Sequence, residues 1–398
     1  MITIQQATKI VLENTIDLQT ETIKLENAIG RQLRENLIAD RPFPPFNRVA
    51  MDGIAIRFAD FENGQRTFPI IGVQAAGSSQ LFVSESGVCV EVMTGAMLPK
   101  GVDTVIRYED ILIEKNQARV QVETIKNGQN VHKKGTDRTQ GEILVKTGQL
   151  ISPAEVGVAA TVGKSELQVT KLPKVAIIST GDELVNVSEI PKPYQIRSSN
   201  VYTISTLLKQ YQIKPELFHI VDNQQATIEK LRVLLNDFDV LILSGGVSKG
   251  KFDYIPAALE SLNVEKLFHR VRQKPGKPFW FGKNAANKVV FALPGNPASS
   301  FMCTNRYFLP WLRASMNLQP LNYQYVTLAE TFTFKANLQY FLQVKINYEK
   351  DGQMTAKPLA GKGSGDLANL ADVDGFLELP AEKTDFLKGE VYPFIRFR

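Results

Sequence analysis

Cysteine and histidine are scarce in this chain: two cysteines and three histidines occur among 398 residues. Cys89 and Cys303 lie far apart and neither belongs to a CxxC pair, so no disulfide framework or zinc site is indicated. His132, His219 and His269 are equally scattered. A His/Cys transition-metal centre is therefore not expected, and each histidine reads as structural. Any metal the protein uses should be a hard, oxygen-ligated ion such as magnesium. Long apolar runs are missing as well. The opening MITIQQATKIVLENT lacks the apolar core of a secretory signal, and no run reaches the length of a membrane span. No membrane association is expected, and the expected location is the cytoplasm. Excess charge of one sign is also small. A net charge of +5 suits an anionic small ligand and is too little to argue for a nucleic-acid partner.

What is present points to an ordinary folded protein of several domains, because one core does not grow to this length. Apolar positions at helical spacing predict a helix over 4–16, and a second is expected over 25–36. The proline-rich stretch DRPFPPFNRVAMDGIAI at 40–56 breaks the pattern. From 54 to 146, short alternating runs separated by Gly, Asn and Lys turns predict a small β domain. Ser152, Pro153 and Glu155 then start a helix with a capping box over 152–162. Residues 173–315 alternate strand and helix (KVAIIST, KPELFHIV, DVLIL and KVVFAL as strands), which implies a mostly parallel sheet with helices on both faces. SNVYTISTLLKQY, with a Ser199/Asn200 cap, and DNQQATIEKLRVLLNDF, capped near Asp222, read as helices. The tail returns to alternating strands and suggests a small barrel. The fold class expected is multi-domain α/β and β. Its parts are 1–42 with 145–172, an inserted β domain at 43–144, an α/β domain at 173–317, and a C-terminal β-barrel at 318–398.

In open parallel sheets, ligands bind beyond the carboxyl ends of the strands. Three strands here end in unusual loops: Gly181-Asp182-Glu183, Ser244-Gly245-Gly246-Val247-Ser248, and Pro294-Gly295-Asn296-Pro297. All three should share one cleft. The SGGVS loop offers amides unhindered by side chains, with the Ser244 and Ser248 hydroxyls beside them, a nest suited to phosphate or another oxyanion. A plain glycine turn closing a strand accounts for the same residues. Asp182, Glu183 and Asp253 supply carboxylates near that edge, suited to magnesium shared with a ligand phosphate. In RQKPGKPFWFG, Lys274 and Lys277 stand in a proline-stiffened frame that makes a clamp for a compact anion. Asp52 (AMDG), Thr94 (MTGAMLP) and Asp137 (KKGTDR) each read as β-turn residues when taken alone. The sequence leaves open whether Lys249 and Lys251 face ligand or solvent.

Taken together, AMDG, MTGAMLP, STGDEL, SGGVSKGKFDY, KPGKPFWFG and LPGNPASS resemble, in order and approximate spacing, the molybdopterin molybdenumtransferase family. This is the MoeA group, to which the E domain of gephyrin is similar. The resemblance covers nearly the whole chain. It implies an elongated four-part subunit that forms a homodimer with the cleft between subunits, the third part binding molybdopterin. It also implies a reaction: adenylylated molybdopterin binds, Mg2+ assists release of AMP, and molybdate is inserted to give molybdenum cofactor. Matched motif by motif, Asp52, Thr94, Asp182, Glu183 and Asp253 become catalytic, with Asp182, Glu183 and Asp253 also the metal ligands. Ser244, Gly245, Gly246, Ser248, Lys274, Lys277, Pro294, Gly295, Ser299, Asp137 and Ser364 become substrate-binding. The family's Gly-Arg…Phe-x-Arg signature is not kept: Leu338 and Gln343 stand where its arginines fall if Phe341 is the matching phenylalanine. Two other functions compete. A molybdopterin adenylyltransferase shares the α/β domain but usually carries Gly-Gly-Thr-Gly in the loop that reads Gly245-Gly246-Val247-Ser248 here. A non-catalytic pterin-binding scaffold is the other.

Overall fold

Three runs with no charged interruption, VAIIST, VLILS and VVFAL, lie side by side at the centre of a sheet in the computed structural model, every residue of them buried. The structure describes residues 1–248, 253–321 and 323–398, so Lys249 and Lys251 lie outside the described residues. The chain divides into two compact units. One comprises Met1–Thr22, Gly30–Gln32 and Gln168–Arg398; the other comprises Ile23–Ile29 and Leu33–Leu167.

In the first unit the sheet contains β1 (Val175–Thr180), β2 (Glu216–Ile220), β3 (Val240–Ser244), β4 (Glu265–His269), β5 (Trp280–Lys283) and β6 (Val289–Leu293). Their order is β2-β1-β3-β6-β5-β4. The first four run parallel, and β5 and β4 are antiparallel additions at one edge. The parallel centre was expected from the alternating pattern; the antiparallel pair was not. β5 is the second half of KPGKPFWFG, where Pro278 ends the turn and the apolar WFG run continues as a buried strand.

Residues alternate between the two faces of β1, as strand geometry requires. Val175 and Ile177 join one core with Ile4, Ala7 and Val11 of helix α1 (Ile4–Glu13) and Ile204 and Leu208 of α2 (Asn200–Lys209). Ala176 and Ile178 join the other with Leu231 and Leu234 of α3 (Gln224–Asp237) and with Ala258 and Leu259 of α4 (Ile255–Ser261). Helices thus cover both faces. α1 stops at Glu13 rather than residue 16, and it begins with a capping box between Thr3 and Gln6. The last helical run is α5 (Pro297–Cys303) and α6 (Leu309–Ser315), joined by a π-helical turn at Thr304–Phe308.

The tail forms a closed five-stranded barrel of β7 (Gln324–Leu328), β8 (Gln339–Tyr348), β9 (Met354–Pro358), β10 (Gly375–Leu379) and β11 (Val391–Arg396). Pairing runs β8-β9-β7-β11-β10 and back to β8, and closure leaves no free edge among them. Gln273 and Lys274 pair in parallel with Gln339 and Tyr340 of β8. A buried ion pair also joins sheet domain and barrel: Arg306 Nε lies 2.6 Å from Glu378 Oε1, with side chains 4% and 6% exposed.

The second unit is built on a six-stranded sheet in the order Thr104–Arg107, Gly53–Ile56, Cys89–Val92, Thr67–Gln74, Gln117–Val120, Ile111–Glu114. Gly53 is obligatory where its strand meets the edge strand Thr104–Arg107, because a Cβ there would lie 1.9 Å from the Ile106 carbonyl oxygen. The helix at Pro153–Thr161 forms as expected, with Ser152 and Glu155 completing both halves of the capping box. The helix expected over 25–36 does not form. Leu25–Asn27 make a single 3-10 turn, and Gly30 takes φ +77°, a left-handed conformation that no helix continues through.

Candidate active site

The loops after β1, β3 and β6 converge on one cleft of about 500 Å³. Thr180, Gly181 and Glu183 come from the first, Ser244–Ser248 from the second, and Pro294, Gly295 and Asn296 from the third. The shared cleft expected from the strand-end rule is present.

The SGGVS turn is shaped by contact as well as by ligand space. Gly245 and Gly246 have φ of +106° and +69°. A Cβ on Gly245 would sit 2.6 Å from Thr180 Oγ1, and one on Gly246 would sit 2.7 Å from Ile255 Cγ1. The Gly245 N–H donates to the Leu293 carbonyl at 3.1 Å. It therefore closes the turn and is not an open donor. The amides of Gly246, Val247 and Ser248 have no acceptor among the described residues, so three successive N–H groups stay available at the cleft. Gly245 thus serves the turn itself, and the nest reading concerns the three amides that follow it.

Two residues hold these loops that the sequence reading cast otherwise. Asn200, expected to cap α2, instead donates from Nδ2 to Ser244 Oγ and to the Gly295 carbonyl, both at 2.8 Å, tying two of the loops together. Ser244 also lies 3.2 Å from Ser300 Oγ, which donates to the Pro294 carbonyl. Its hydroxyl is thus committed to the wall of the cleft. His269, read as structural, shares a 2.9 Å hydrogen bond between Nε2 and the Val247 carbonyl. Since a carbonyl only accepts, Nε2 carries the proton.

Burial lowers the pKa of His269 below its ordinary value, the Arg270 and Lys266 charges add to this, and the Val247 bond and Asp253 oppose it. The unfolded chain therefore binds a proton at higher pH than the folded one. The stability this residue confers is complete above about pH 6.5 and declines as pH falls below it. Urea unfolding midpoints of the wild type should drop between about pH 7.5 and about pH 5.5. His269→Gln, which keeps a donor for Val247 and does not titrate, should shrink that drop; an equal drop in both proteins would rule out the linkage.

Three carboxylates line the cleft: Glu183, Asp253 and Asp222. Gly181 makes room for the first, because a Cβ there would overlap Glu183 Oε2 at 2.2 Å. The sequence places a helix cap near Asp222, but Asn223 fills that role by accepting from the Ala226 N–H at 3.0 Å. The Asp in VDN looks like a cap because of its neighbour, and only the fold separates the two. Asp182 does not line the cleft; it lies beside Asp222, each accepting from the other's amide at 3.1 and 3.4 Å. Among the described residues no three His, Cys, Asp or Glu side chains converge as a finished metal site.

Lys274 and Lys277 are exposed and are not part of the cleft wall, although Pro278 of the same frame is. Lys274 Nζ sits 5.2 Å above the Phe334 ring and 5.7 Å from that of Tyr340, two rings stacked at 4.3 Å. Neither lysine has an ion-pair partner among the described residues. Ser299 is buried inside α5. Ser364 acts through a neighbour: its Oγ accepts from Asn296 Nδ2 at 2.7 Å, and its carbonyl accepts from the Ala298 N–H at 3.1 Å. Gln343 is buried and accepts from Asn369, which leaves no cation at that place.

In the second unit, Asp52 Oδ1 accepts from both the N–H and the hydroxyl of Thr94, at 2.6 and 2.7 Å, and these bonds hold its carboxyl below the usual range. His132 Nε2 lies 2.9 Å from Asp137 Oδ1, and Arg48 Nη2 lies 3.2 Å from His132 Nδ1. An arginine only donates, so Nδ1 accepts and Nε2 donates to Asp137. The histidine thus orients a carboxylate, a role its isolation in the sequence did not suggest.

Unpartnered amides and carboxylates grouped at the carboxyl ends of parallel strands mark the ligand-binding edge of an α/β protein. Comparison with known proteins narrows this. Residues 2–163 match the MoeA N-terminal region (domain I and II), 176–314 a probable molybdopterin binding domain, and 325–397 the MoeA C-terminal region (domain IV). The chain is 38% identical to the molybdopterin molybdenumtransferase of Synechocystis, over 99% of both chains. It is 29% identical to that of Staphylococcus epidermidis, over 99% of this chain and 95% of the relative. A solved molybdopterin biosynthesis MoeA protein from Pyrococcus horikoshii has a TM-score of 0.82 at 26% identity and full coverage of both chains. The chain belongs to the molybdopterin molybdenumtransferase (MoeA) family of transferases and acts in molybdenum cofactor biosynthesis.

Proposed function

We propose that the cleft binds adenylylated molybdopterin by its phosphates, and that the protein inserts molybdate at the dithiolene while AMP leaves. One observation carries this reading: three amides without an acceptor among the described residues and three carboxylates meet at one cleft formed by three strand-end loops. The amides of Gly246, Val247 and Ser248 suit phosphate oxygens. Pro294 and Gly295 give the ligand a close approach to backbone, and Ser364 fixes Asn296 beside them. The bond broken is the phosphoanhydride between AMP and the pterin phosphate; water forms the new P–O bond at the cleaved phosphorus, and its protons pass to solvent. Lys274 and Lys277, with no acidic partner among the described residues, carry positive charge suited to molybdate.

The carboxylates fit magnesium, a hard ion usually held by one or two carboxylates and completed by substrate phosphate. Glu183, Asp222 and Asp253 are the candidates on the wall, with Asp182 positioning Asp222. When bound there, magnesium neutralises charge on the departing phosphate. Homodimer formation, a cytoplasmic location, service of Asp52, Thr94 and Asp137 in the same reaction, and the four-part division given above belong to this reading and rest on the family resemblance.

Asp253→Asn and Asp222→Asn are each expected to slow AMP release about tenfold or more, with partial recovery at raised magnesium. AMP release at wild-type rates in both variants would remove the carboxylates from the mechanism.

A further inference from the structure

The cleft holds a charge that the proposed reaction has not used. Among the described residues lining it, Arg197 is the one cation, set against Glu183, Asp222 and Asp253. Its backbone is fixed. Ile196–Arg197 pairs in parallel with Leu184–Val185, the Ile196 N–H donating to the Glu183 carbonyl at 2.8 Å and the Ser198 N–H to that of Val185 at 2.9 Å. The arginine therefore rides on the segment that carries Glu183. Its Nε donates to the Glu189 carbonyl at 3.0 Å, which tethers the guanidinium. Nη1 and Nη2 have no acceptor among the described residues, and no carboxylate forms an ion pair with Arg197 there.

An arginine beside three carboxylates, yet bound to none of them, keeps its charge for something else. A guanidinium tethered at Nε presents its two remaining nitrogens as a planar fork, and that fork matches two oxygens of a phosphate. An anionic substrate entering a wall with three acids and one base also needs positive compensation beyond that of a metal ion. We infer that Arg197 is a substrate-binding residue, its Nη pair taking two oxygens of a substrate phosphate. This inference rests on the reading of the cleft as a phosphate site. The phosphate belongs either to the departing nucleotide or to the pterin; the recognising chemistry is the same.

Calorimetry on the full chain with magnesium, using AMP and adenosine as probes, tests this. Arg197→Gln should weaken AMP binding by about ten- to a hundredfold, the loss expected for a charge-assisted pair, and leave adenosine binding unchanged. Arg197→Lys, which keeps charge but loses the fork, should fall between. Because the side chain is exposed, melting temperatures should not move. Unchanged AMP affinity with a KM for adenylylated molybdopterin raised by the same factor would assign the phosphate to the pterin side and still support the inference. Unchanged AMP affinity together with an unchanged KM would overturn it. Loss of AMP binding in Arg197→Gln, in a wild type that binds AMP but releases none from adenylylated substrate, would uphold Arg197 while refuting the proposed reaction.

Discussion

Replacing Glu378 with leucine is expected to lower the unfolding free energy by about 3–5 kcal/mol, the cost of leaving a buried charge without its partner. Arg306 and Glu378 are nearly inaccessible to water. Burial pushes the Glu378 carboxyl up, opposed by the pull of Arg306. The pair meets at 2.6 Å, and Arg306 Nη1 has no hydrogen-bond partner among the described residues. Removing the carboxylate therefore strands a guanidinium among Tyr307, Tyr323 and the barrel wall. The double variant Arg306→Met/Glu378→Leu should recover most of the loss, because well-packed apolar groups of similar volume often replace such a pair at little cost. Urea unfolding of the two single variants and the double variant reads this directly. A single variant as stable as the wild type would show that the pair is hydrated, and a double variant no better than the singles would show that the site needs charge for its packing.

Gly245→Ala carries the second large expectation, a fall in turnover of about a hundredfold or more. The added methyl would meet Thr180 Oγ1 at 2.6 Å and the Thr180 carbonyl oxygen at 3.1 Å, in a backbone of φ +106° that alanine rarely adopts. The turn must move, and the three free amides move with it. Thr180→Val separates the parts of this argument. The Thr180 hydroxyl is buried and has no hydrogen-bond partner among the described residues, so its loss alone should leave stability equal or higher. AMP release in Gly245→Ala near the wild-type rate would mean that the turn tolerates displacement and that its amides do not bind the substrate.

The parts of the fold written in unbroken apolar runs were legible in the sequence. VAIIST, VLILS and VVFAL are buried on both faces, and their short length, their Val and Ile content and the Gly and Pro that follow them mark strands where periodicity alone would not. Their loops were legible for the same reason, since parallel strands put their carboxyl ends together. The edge pair β4 and β5 was not. Its strands are short and sit beside a lysine- and proline-rich turn that drew attention to charge instead of burial. The false helix at 25–36 came from apolar spacing across Gly30, whose left-handed backbone overrides the pattern. Asp222, Asn200 and His269 share another cause. Each is a common cap or core residue by local sequence, and each acquires its place only when strands far apart in the chain bring loops within hydrogen-bond reach. The lysine clamp shows the reverse: its stiffness was legible, but its position off the cleft wall and over the Phe334 and Tyr340 rings was not.

The measurement that tests the central claim most directly is AMP release by the purified full-length chain from adenylylated molybdopterin, with molybdate and magnesium each supplied or withheld. AMP should appear in step with molybdenum cofactor when both are present, and fall sharply when either is omitted. AMP release that proceeds equally without molybdate, or no release with both supplied, would contradict it.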